Sequence, residues 1–296
     1  MEKLLFVFNP TSGKAKIRDY LLDILDSFNK SNYQVTVYTT QYQGHAREIV
    51  KERGKGYDLI VCSGGDGTLN EVVSGLMELE PMPILGYIPS GTTNDFATSI
   101  HIPKDMVLAA KLISKRNVFR CDIGKFNDRY FTYVAAFGAF TAVTYMTPQQ
   151  TKNVLGHQAY VLEGVKQLSS IKPVHLKIEY DDVVIEDDFL YGMVSNSTSV
   201  GGFKGLTGKY VELNDGLSEV TLIKNVKNPI GFTNIVTSLL TRKLDSEYFY
   251  SFKTNKLKIT SKQPIDWVLD GEFGGSHTEV NIENCKEAIC ICVDDN

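Results

Sequence analysis

The first third of the chain alternates short, uninterrupted apolar runs with segments whose apolar positions recur every three to four residues. Leu4 to Phe8 is followed by a helical pattern over Arg18 to Lys30, Gln34 to Tyr38 by Gly44 to Arg53, and Leu59 to Cys62 by Thr68 to Met77. A further run, Ile84 to Ile88, precedes Pro89-Ser90-Gly91, and helical spacing returns over Asp105 to Ser114 after Pro103. Runs that are apolar at every position belong to strands buried on both faces, and their alternation with helices predicts parallel strands joined by helical crossovers. Up to about residue 120, the expectation is an open, mainly parallel α/β sheet with helices on both faces.

After Asp122 the pattern changes to period two. His175 to Tyr180 and Val183 to Glu186 flank Asp181-Asp182 and predict a hairpin closed by a two-residue turn. Further strand candidates are Leu190 to Ser195, Ser218 to Ile223, Tyr248 to Phe252, Lys256 to Ile259, Asp266 to Leu269 and Ala288 to Val293. Helical spacing recurs only at Ala159 to Leu168 and about Ile230 to Leu240. This half predicts an antiparallel β-sandwich, and the expected division is residues 1–123 and 124–296. With 296 residues, 43% of them hydrophobic, the chain can bury two such cores. Apolar side chains within Phe131 to Phe140 and around Phe203 are expected mostly in that core, with the lining of a cleft as their alternative.

Charge narrows the partners. A formal net charge of -4 lacks the basic footprint of a nucleic-acid binder and weighs against broad adhesion to anionic lipid, while leaving room for a local, transient contact. Five cysteines, an odd set without a Cys-x-x-Cys pair, read as reduced and buried. Cys290 and Cys292 would share one strand face, as a soft-metal pair requires, but no other ligand cluster accompanies them. The apolar run inside Met1 to Phe8 is short for a signal-peptide core, and no run of about 18 apolar residues occurs. A soluble, cytoplasmic protein is the expectation.

The candidate chemistry gathers where apolar strands end. Asp58 to Cys62 runs into Ser63-Gly64-Gly65-Asp66-Gly67-Thr68, with helical spacing opening at Thr68. Glycines there let successive backbone N–H groups approach an anion at the positive end of the following helix. Asp66 would repel phosphate unless a divalent cation stood between them, which points to Mg²⁺; the alternative is a plain strand-to-helix turn. Asn9-Pro10-Thr11-Ser12-Gly13-Lys14 occupies the same position after the first strand, without the leading glycine or the Ser/Thr after Lys14 of a Walker A loop, and also reads as a helix start. In Pro89 to Phe96, Thr92 or Thr93 can cap a helix, yet capping alone does not require Gly91, Asn94 and Asp95 together. Asp270-Gly271-Glu272 and Asn214-Asp215-Gly216 read first as tight turns, and phosphoryl transfer to an alcohol needs a carboxylate of this kind to accept the hydroxyl proton.

Taken together, Asn9-Pro10 to Gly13, Gly64 to Thr68 with Asn70-Glu71, Gly91-Thr92 with Asn94-Asp95-Phe96, Asp122, Asn214-Asp215-Gly216 and Asp270-Gly271-Glu272 resemble the soluble diacylglycerol kinase family, which includes sphingosine and ceramide kinases, and most closely its bacterial members. The resemblance spans nearly the whole chain. It implies a nucleotide-binding α/β domain, a β-sandwich domain for the lipid acceptor, and ATP between them. Nucleotide contacts would be Asn9, Pro10, Thr11, Ser12, Gly13 and Lys14, then Thr40, then Gly65, Asp66, Gly67, Thr68, Leu69, Asn70 and Glu71, and Thr92. Asp66, Asp95 and Asp122 would organise a magnesium and water network, with a second Mg²⁺ at Asp215 beside backbone oxygens of Glu212 and Leu217. Asp270 and Glu272 are both carriers of the catalytic base. Implied partners are a lipid met transiently at the inner membrane face and no nucleic acid, with a homodimer also admitted. The segment Val200 to Phe203 and Leu206 to Tyr210 departs from the family's pattern before Asn-Asp-Gly, which bears on the lipid rather than the nucleotide.

Two other readings compete: an NAD kinase, whose family shares Gly-Gly-Asp-Gly, and a non-catalytic nucleotide- or lipid-binding regulator. Both carboxylates of Asp-Gly-Glu and the Asn-Pro start favour the lipid kinase. Asp66→Ala is expected to abolish turnover in a protein that still folds, measured by labelled-ATP transfer; near-normal activity would remove this loop from the assignment.

Overall fold

The computed structural model describes residues 1–138, 172–200, 203–204, 211–226, 229–241 and 247–294. The helical pattern at Ala159 to Leu168 and most of Gly201 to Tyr210 lie outside the described residues. Strands β1 (Glu2–Phe8), β2 (Tyr33–Thr39), β3 (Leu59–Gly64) and β4 (Ile84–Pro89) pair in parallel in the order β2-β1-β3-β4. Every residue of β3 and Leu4 to Phe8 of β1 are buried. Successive residues point to opposite faces, so both faces must be covered. Helices α1 (Ile17–Lys30), α2 (His45–Arg53), α3 (Asp66–Leu76) and α5 (Met106–Lys115) cover them, α1 packing against α5 and α2 against α3. The short α4 (Asp95–Ser99) follows β4. The register Phe8↔Ser63 and Gly64↔Pro89 brings the carboxyl ends of β1, β3 and β4 level, so the loops leaving them are neighbours.

The rest is mainly antiparallel: β5 (Val118–Phe126), β6 (Arg129–Phe131), β7 (Val134–Gly138), β8 (Val174–Tyr180), β9 (Val183–Ser195), the two-residue strands β10 (Ser199–Val200) and β11 (Phe203–Lys204), β12 (Ser218–Lys224), α6 (Pro229–Thr241), β13 (Phe249–Thr254), β14 (Lys256–Leu269) and β15 (Glu272–Cys292). The hairpin across Asp181-Asp182 forms as expected. Three expectations are corrected. Val183 to Glu186 and Leu190 to Ser195 are one strand, β9, as are Lys256 to Ile259 and Asp266 to Leu269 in β14, while Ala288 to Val293 is the end of a 21-residue β15. Register shifts at Thr260/Ile265 in β14, at Cys285/Ile289 in β15 and between Phe189 and Tyr191 in β9 bend these long strands and interrupt their alternation, which is why they read as separate pieces.

β14 pairs with β8 along its first half and β7 along its second, and β9 pairs with the same two strands. Their inward faces enclose Phe126, Phe137, Phe189, Leu176, Ile259 and Trp267. Within Phe131 to Phe137, the described apolar residues are core, as expected. β15 then leaves this core, runs antiparallel to β5, and pairs in parallel with β4 at Ile291↔Leu85. The last strand thus extends the N-terminal sheet, and the described strands other than β10 and β11 form one continuous 13-stranded sheet.

Trp267 is fully buried, with ring centroids 5.0 Å from Phe126 and 4.9 Å from Phe137. Trp267→Ala is expected to cost about 3–5 kcal/mol of stability, read from the midpoint of a urea melt; a loss below about 1 kcal/mol would show that this is not the centre of the second core.

Candidate active site

Three loops leave β1, β3 and β4, and glycine lets them touch. A Cβ on Gly91 would lie 2.6 Å from the Cα of Gly65, and one on Gly13, whose φ is +51°, would overlap the Ser90 carbonyl. Asn9 fixes the first loop by donating its backbone N–H to Ser63 O at 2.9 Å and accepting from Thr11 N at 3.0 Å and Thr11 Oγ1 at 2.9 Å on Oδ1. Asn9 Nδ2 reaches Thr68 Oγ1 at 3.5 Å. In the third loop Asn94, at φ +54°, accepts from Gly91 N at 3.0 Å and donates to Gly91 O at 2.9 Å, so its side chain holds the turn. Lys14 and Thr92 are exposed on the rim, and Thr40 is buried at the end of β2 with its N–H on Phe8 O.

α3 begins at Asp66 rather than Thr68, so that carboxylate sits on the first helical turn. Its oxygens accept from Asp95 N at 3.3 Å and Phe96 N at 3.4 Å. Asp66, and not Thr92 or Thr93, therefore meets the free amides at the start of α4, correcting the expected cap; the N-cap residue itself is Asn94. Burial pushes the Asp66 carboxyl up to about 7, helped by the negative charges of Asp95 and Asp270. Further along α3, Asn70 Nδ2 donates to Asp270 Oδ2 at 2.7 Å and to Tyr130 O at 2.9 Å. Glu71 accepts from Gly44 N at 2.7 Å and Ala46 N at 3.0 Å, which fixes the loop between β2 and α2.

Asp270-Gly271 forms the two-residue turn between β14 and β15, both residues at positive φ. The Asp270 carboxylate is buried and accepts five hydrogen bonds. Oδ2 receives Asn70 Nδ2, Thr132 N at 2.6 Å and Thr132 Oγ1 at 2.9 Å, and Oδ1 receives Tyr133 N and Val134 N, each at 3.0 Å. Burial raises its pKa and the amides of Thr132, Tyr133 and Val134 oppose that. With only donors facing it, a proton on either oxygen would meet an N–H or O–H head on, so this geometry suits the ionised form. Glu272, two residues on, is different. Its Oε2 accepts from Gln43 Nε2 at 2.9 Å, and its Oε1 lies 2.5 Å from where a Cβ on Gly67 would stand. Glu272 thus rests over the glycine-rich turn, with one described hydrogen bond.

The expected metal residues divide into two places. Asp66 and Asp95 are together, and Asp95 Oδ1 accepts from Ser199 Oγ at 2.8 Å. Asp122 is fully buried elsewhere, its oxygens accepting from Gly216 N and Glu287 N at 2.7 Å each; it clamps the turn carrying Asp215 to the bend in β15. Burial raises its pKa against the pull of those amides. Asp215 accepts from Leu217 N at 2.8 Å and from Lys253 Nζ at 3.0 Å, so an ammonium already meets the charge that a second Mg²⁺ was expected to meet. Glu212 is exposed. Among the described residues, no three His, Cys, Asp or Glu side chains converge as a ready-made metal cage. The five cysteines are free. Gln43, Thr132 and Ser199 carry no motif and meet the site only through contacts distant in sequence.

The diacylglycerol kinase catalytic domain profile matches residues 3–126. A diacylglycerol kinase of Bacillus subtilis (strain 168) is 36% identical over 278 residues, spanning 93% of this chain and 91% of that protein. One from Staphylococcus haemolyticus (strain JCSC1435) is 36% identical over 290 residues, 97% of this chain and 86% of that one. A solved structure from Bacillus anthracis str. Sterne superposes with a TM-score of 0.84 at 26% identity, covering 99% of this chain and 95% of that one. The crystal structure of a diacylglycerol kinase from the same organism gives 0.78 at 25% identity, covering 99% and 97%.

The raised Asp66 pKa has a consequence for stability. Without metal, the native state keeps a proton on Asp66 over a range in which the unfolded chain has released it, so its contribution falls as pH rises from about 4 to about 7, by at most about 4 kcal/mol. Urea melts in chelator between pH 5 and 8 should show that decline flattened in Asp66→Asn; an unchanged slope would remove Asp66 as its source.

Proposed function

Because the chain belongs to the diacylglycerol kinase family, it is a kinase with an alcohol acceptor and ATP as co-substrate, and we propose that it moves the γ-phosphoryl group to the free hydroxyl of a diacylglycerol, giving phosphatidic acid. The observation that carries this reading is Glu272 standing over Gly67: a carboxylate from the acceptor half lies against the glycine-rich turn of the nucleotide half. The halves divide as residues 1–123 for nucleotide and 124–296 for acceptor, with the end of β15 returning to the first.

In this scheme Asn9 to Lys14, Thr40, Gly65 to Glu71 and Thr92 surround the nucleotide. Backbone N–H groups around Gly65 to Thr68, at the positive end of α3, face its phosphates. Asp66 and Asp95 would hold Mg²⁺; their fit is supported by a buried Asp95 beside a half-buried Asp66, whose carboxyl feels the charge of Asp95. A bound Mg²⁺ supplies neutralisation of phosphate charge. No step is assigned to Asp122 or Asp215, which hold structure.

Glu272 takes the proton from the acceptor hydroxyl as that oxygen bonds to the γ-phosphorus and the bond to the ADP oxygen breaks. Asp270 is the wrong partner for that proton, since both its oxygens are covered by donors. It serves instead to hold the turn on which Glu272 stands. The lipid is met from the aqueous side in a transient membrane contact; among the described residues no helix is long and apolar enough to cross a membrane.

Product analysis after labelled-ATP transfer to diacylglycerol, ceramide and NAD tests the acceptor: phosphatidic acid is expected, and phosphorylated NAD with inert lipids would overturn the reading. Glu272→Gln should lower kcat by about 10²–10⁴-fold at unchanged Tm. Asp270→Asn should instead lose about 3 kcal/mol of stability, because an amide N–H₂ then faces donors. A folded, inactive Asp270→Asn beside an active Glu272→Gln would reverse the two roles.

A further inference from the structure

Glu272 reaches the glycine-rich turn as a side chain at the tip of a long hairpin, and two separate devices hold it. Asp270 fixes the backbone of the turn from which Glu272 projects. The side chain is met from the other half of the molecule: Gln43 Nε2 donates to Glu272 Oε2 at 2.9 Å across 229 residues. An ionised carboxylate can only accept, so the nitrogen of the Gln43 amide, and not its oxygen, faces Glu272. Among the described residues Oε1 accepts no hydrogen bond, and it stays over Gly67, 2.5 Å from where a Cβ would stand.

The loop between β2 and α2 that carries Gln43 is secured on both sides of it. Thr40 N donates to Phe8 O at 2.9 Å, and Gln41 N donates to His45 Nδ1 at 3.1 Å. The Tyr42 ring stacks on His45 with centroids 4.6 Å apart, and its hydroxyl donates to Glu48 Oε2 at 2.6 Å. Gly44, at φ +89°, turns the chain so that its own N–H and that of Ala46 both fall on Glu71. Neighbouring residues of α3 thus serve the two sides of one junction: Asn70 bonds Asp270, and Glu71 holds the loop that supplies Gln43.

We propose that Gln43 is a positioning residue for phosphoryl transfer, holding the Glu272 carboxylate by Oε2 so that Oε1 is the oxygen turned to the acceptor hydroxyl. The inference rests on the reading of Glu272 as the base. A glutamate side chain has several rotatable bonds, and a donor presented by a fixed loop narrows the directions its carboxylate explores. The donor's neutrality suits the task. A lysine or arginine there would favour the ionised carboxylate and oppose its taking a proton, whereas an amide sets direction with less of that cost. The aim of the base is therefore set from the nucleotide half.

The test is steady-state kinetics of the full chain with ATP and dispersed diacylglycerol, for wild type, Gln43→Met, Gln43→Glu, Glu272→Gln and the double variant Gln43→Met/Glu272→Gln. Gln43→Met keeps the length of the side chain and loses the donor; kcat should fall about three- to tenfold, with KM for ATP and Tm unchanged. Gln43→Glu sets two acceptors against each other and should fall further. In the Glu272→Gln background, Gln43→Met should cost nothing more, since Gln43 acts through Glu272. A kcat within about twofold of wild type in folded Gln43→Met would overturn the proposal. So would a raised KM for ATP at unchanged kcat, which would make Gln43 a nucleotide contact, or a full further loss in the double variant, which would place its effect elsewhere. Near-normal turnover by Glu272→Gln would sink the reading of the base, and the role of Gln43 with it. An inactive Glu272→Gln beside a fully active Gln43→Met would sink only the role of Gln43.

Discussion

A carboxylate removed from water must be matched by donors or take up a proton, and Asp270 is the residue through which this chain meets that demand. Its five donors come from α3 and from the connection between β6 and β7, while the carboxylate itself sits at the turn between β14 and β15. Three segments far apart in sequence are therefore joined at one charge. Asn70 is the only one of these donors from the N-terminal sheet's helices, so the seat of the glycine-rich turn and the tip of the long hairpin share a fixed spacing. The placement of Glu272 over Gly67 follows from that spacing.

Around this anchor the site is built with like charges close together. Asp66 feels Asp95 and Asp270, and Glu71 feels Glu272. Folding brings these acids together through stronger forces: the level ends of three buried strands, the glycine contacts that let their loops touch, and the amides that Asp66 and Glu71 accept at the starts of α4 and α2. The result is a pocket of excess negative charge beside backbone N–H groups. A metal-bound nucleotide relieves that excess, so binding it is expected to stabilise the fold as well as prepare the chemistry.

Much of this was legible because the signals are local. Uninterrupted apolar runs marked β1, β3 and β4, and Asp-Gly marked the turn at 270–271, where both residues need positive φ. Glycine at 64, 65 and 67 likewise marked the place where the loops after β1, β3 and β4 meet. What escaped was set by distance along the chain. The unequal surroundings of Asp270 and Glu272 depend on Asn70, Thr132 and Gln43, up to 229 residues away. Asp95 meets Ser199 across 104 residues, and Asp66 displaced the threonines as the cap of α4 only because two loops lie side by side. The long strands β9, β14 and β15 were read as fragments because a bulge breaks period two without ending a strand.

The return of β15 to β4 also bears on how the molecule is made. During synthesis, β1 to β4 emerge long before Ile291, so the β4 edge stands without its outer neighbour until the chain has reached that residue. An unpaired edge in a sheet buried on both faces is a site for wrong pairing. Completion of the N-terminal sheet thus waits for a strand made long after its other members: the half that is made first is finished by the second.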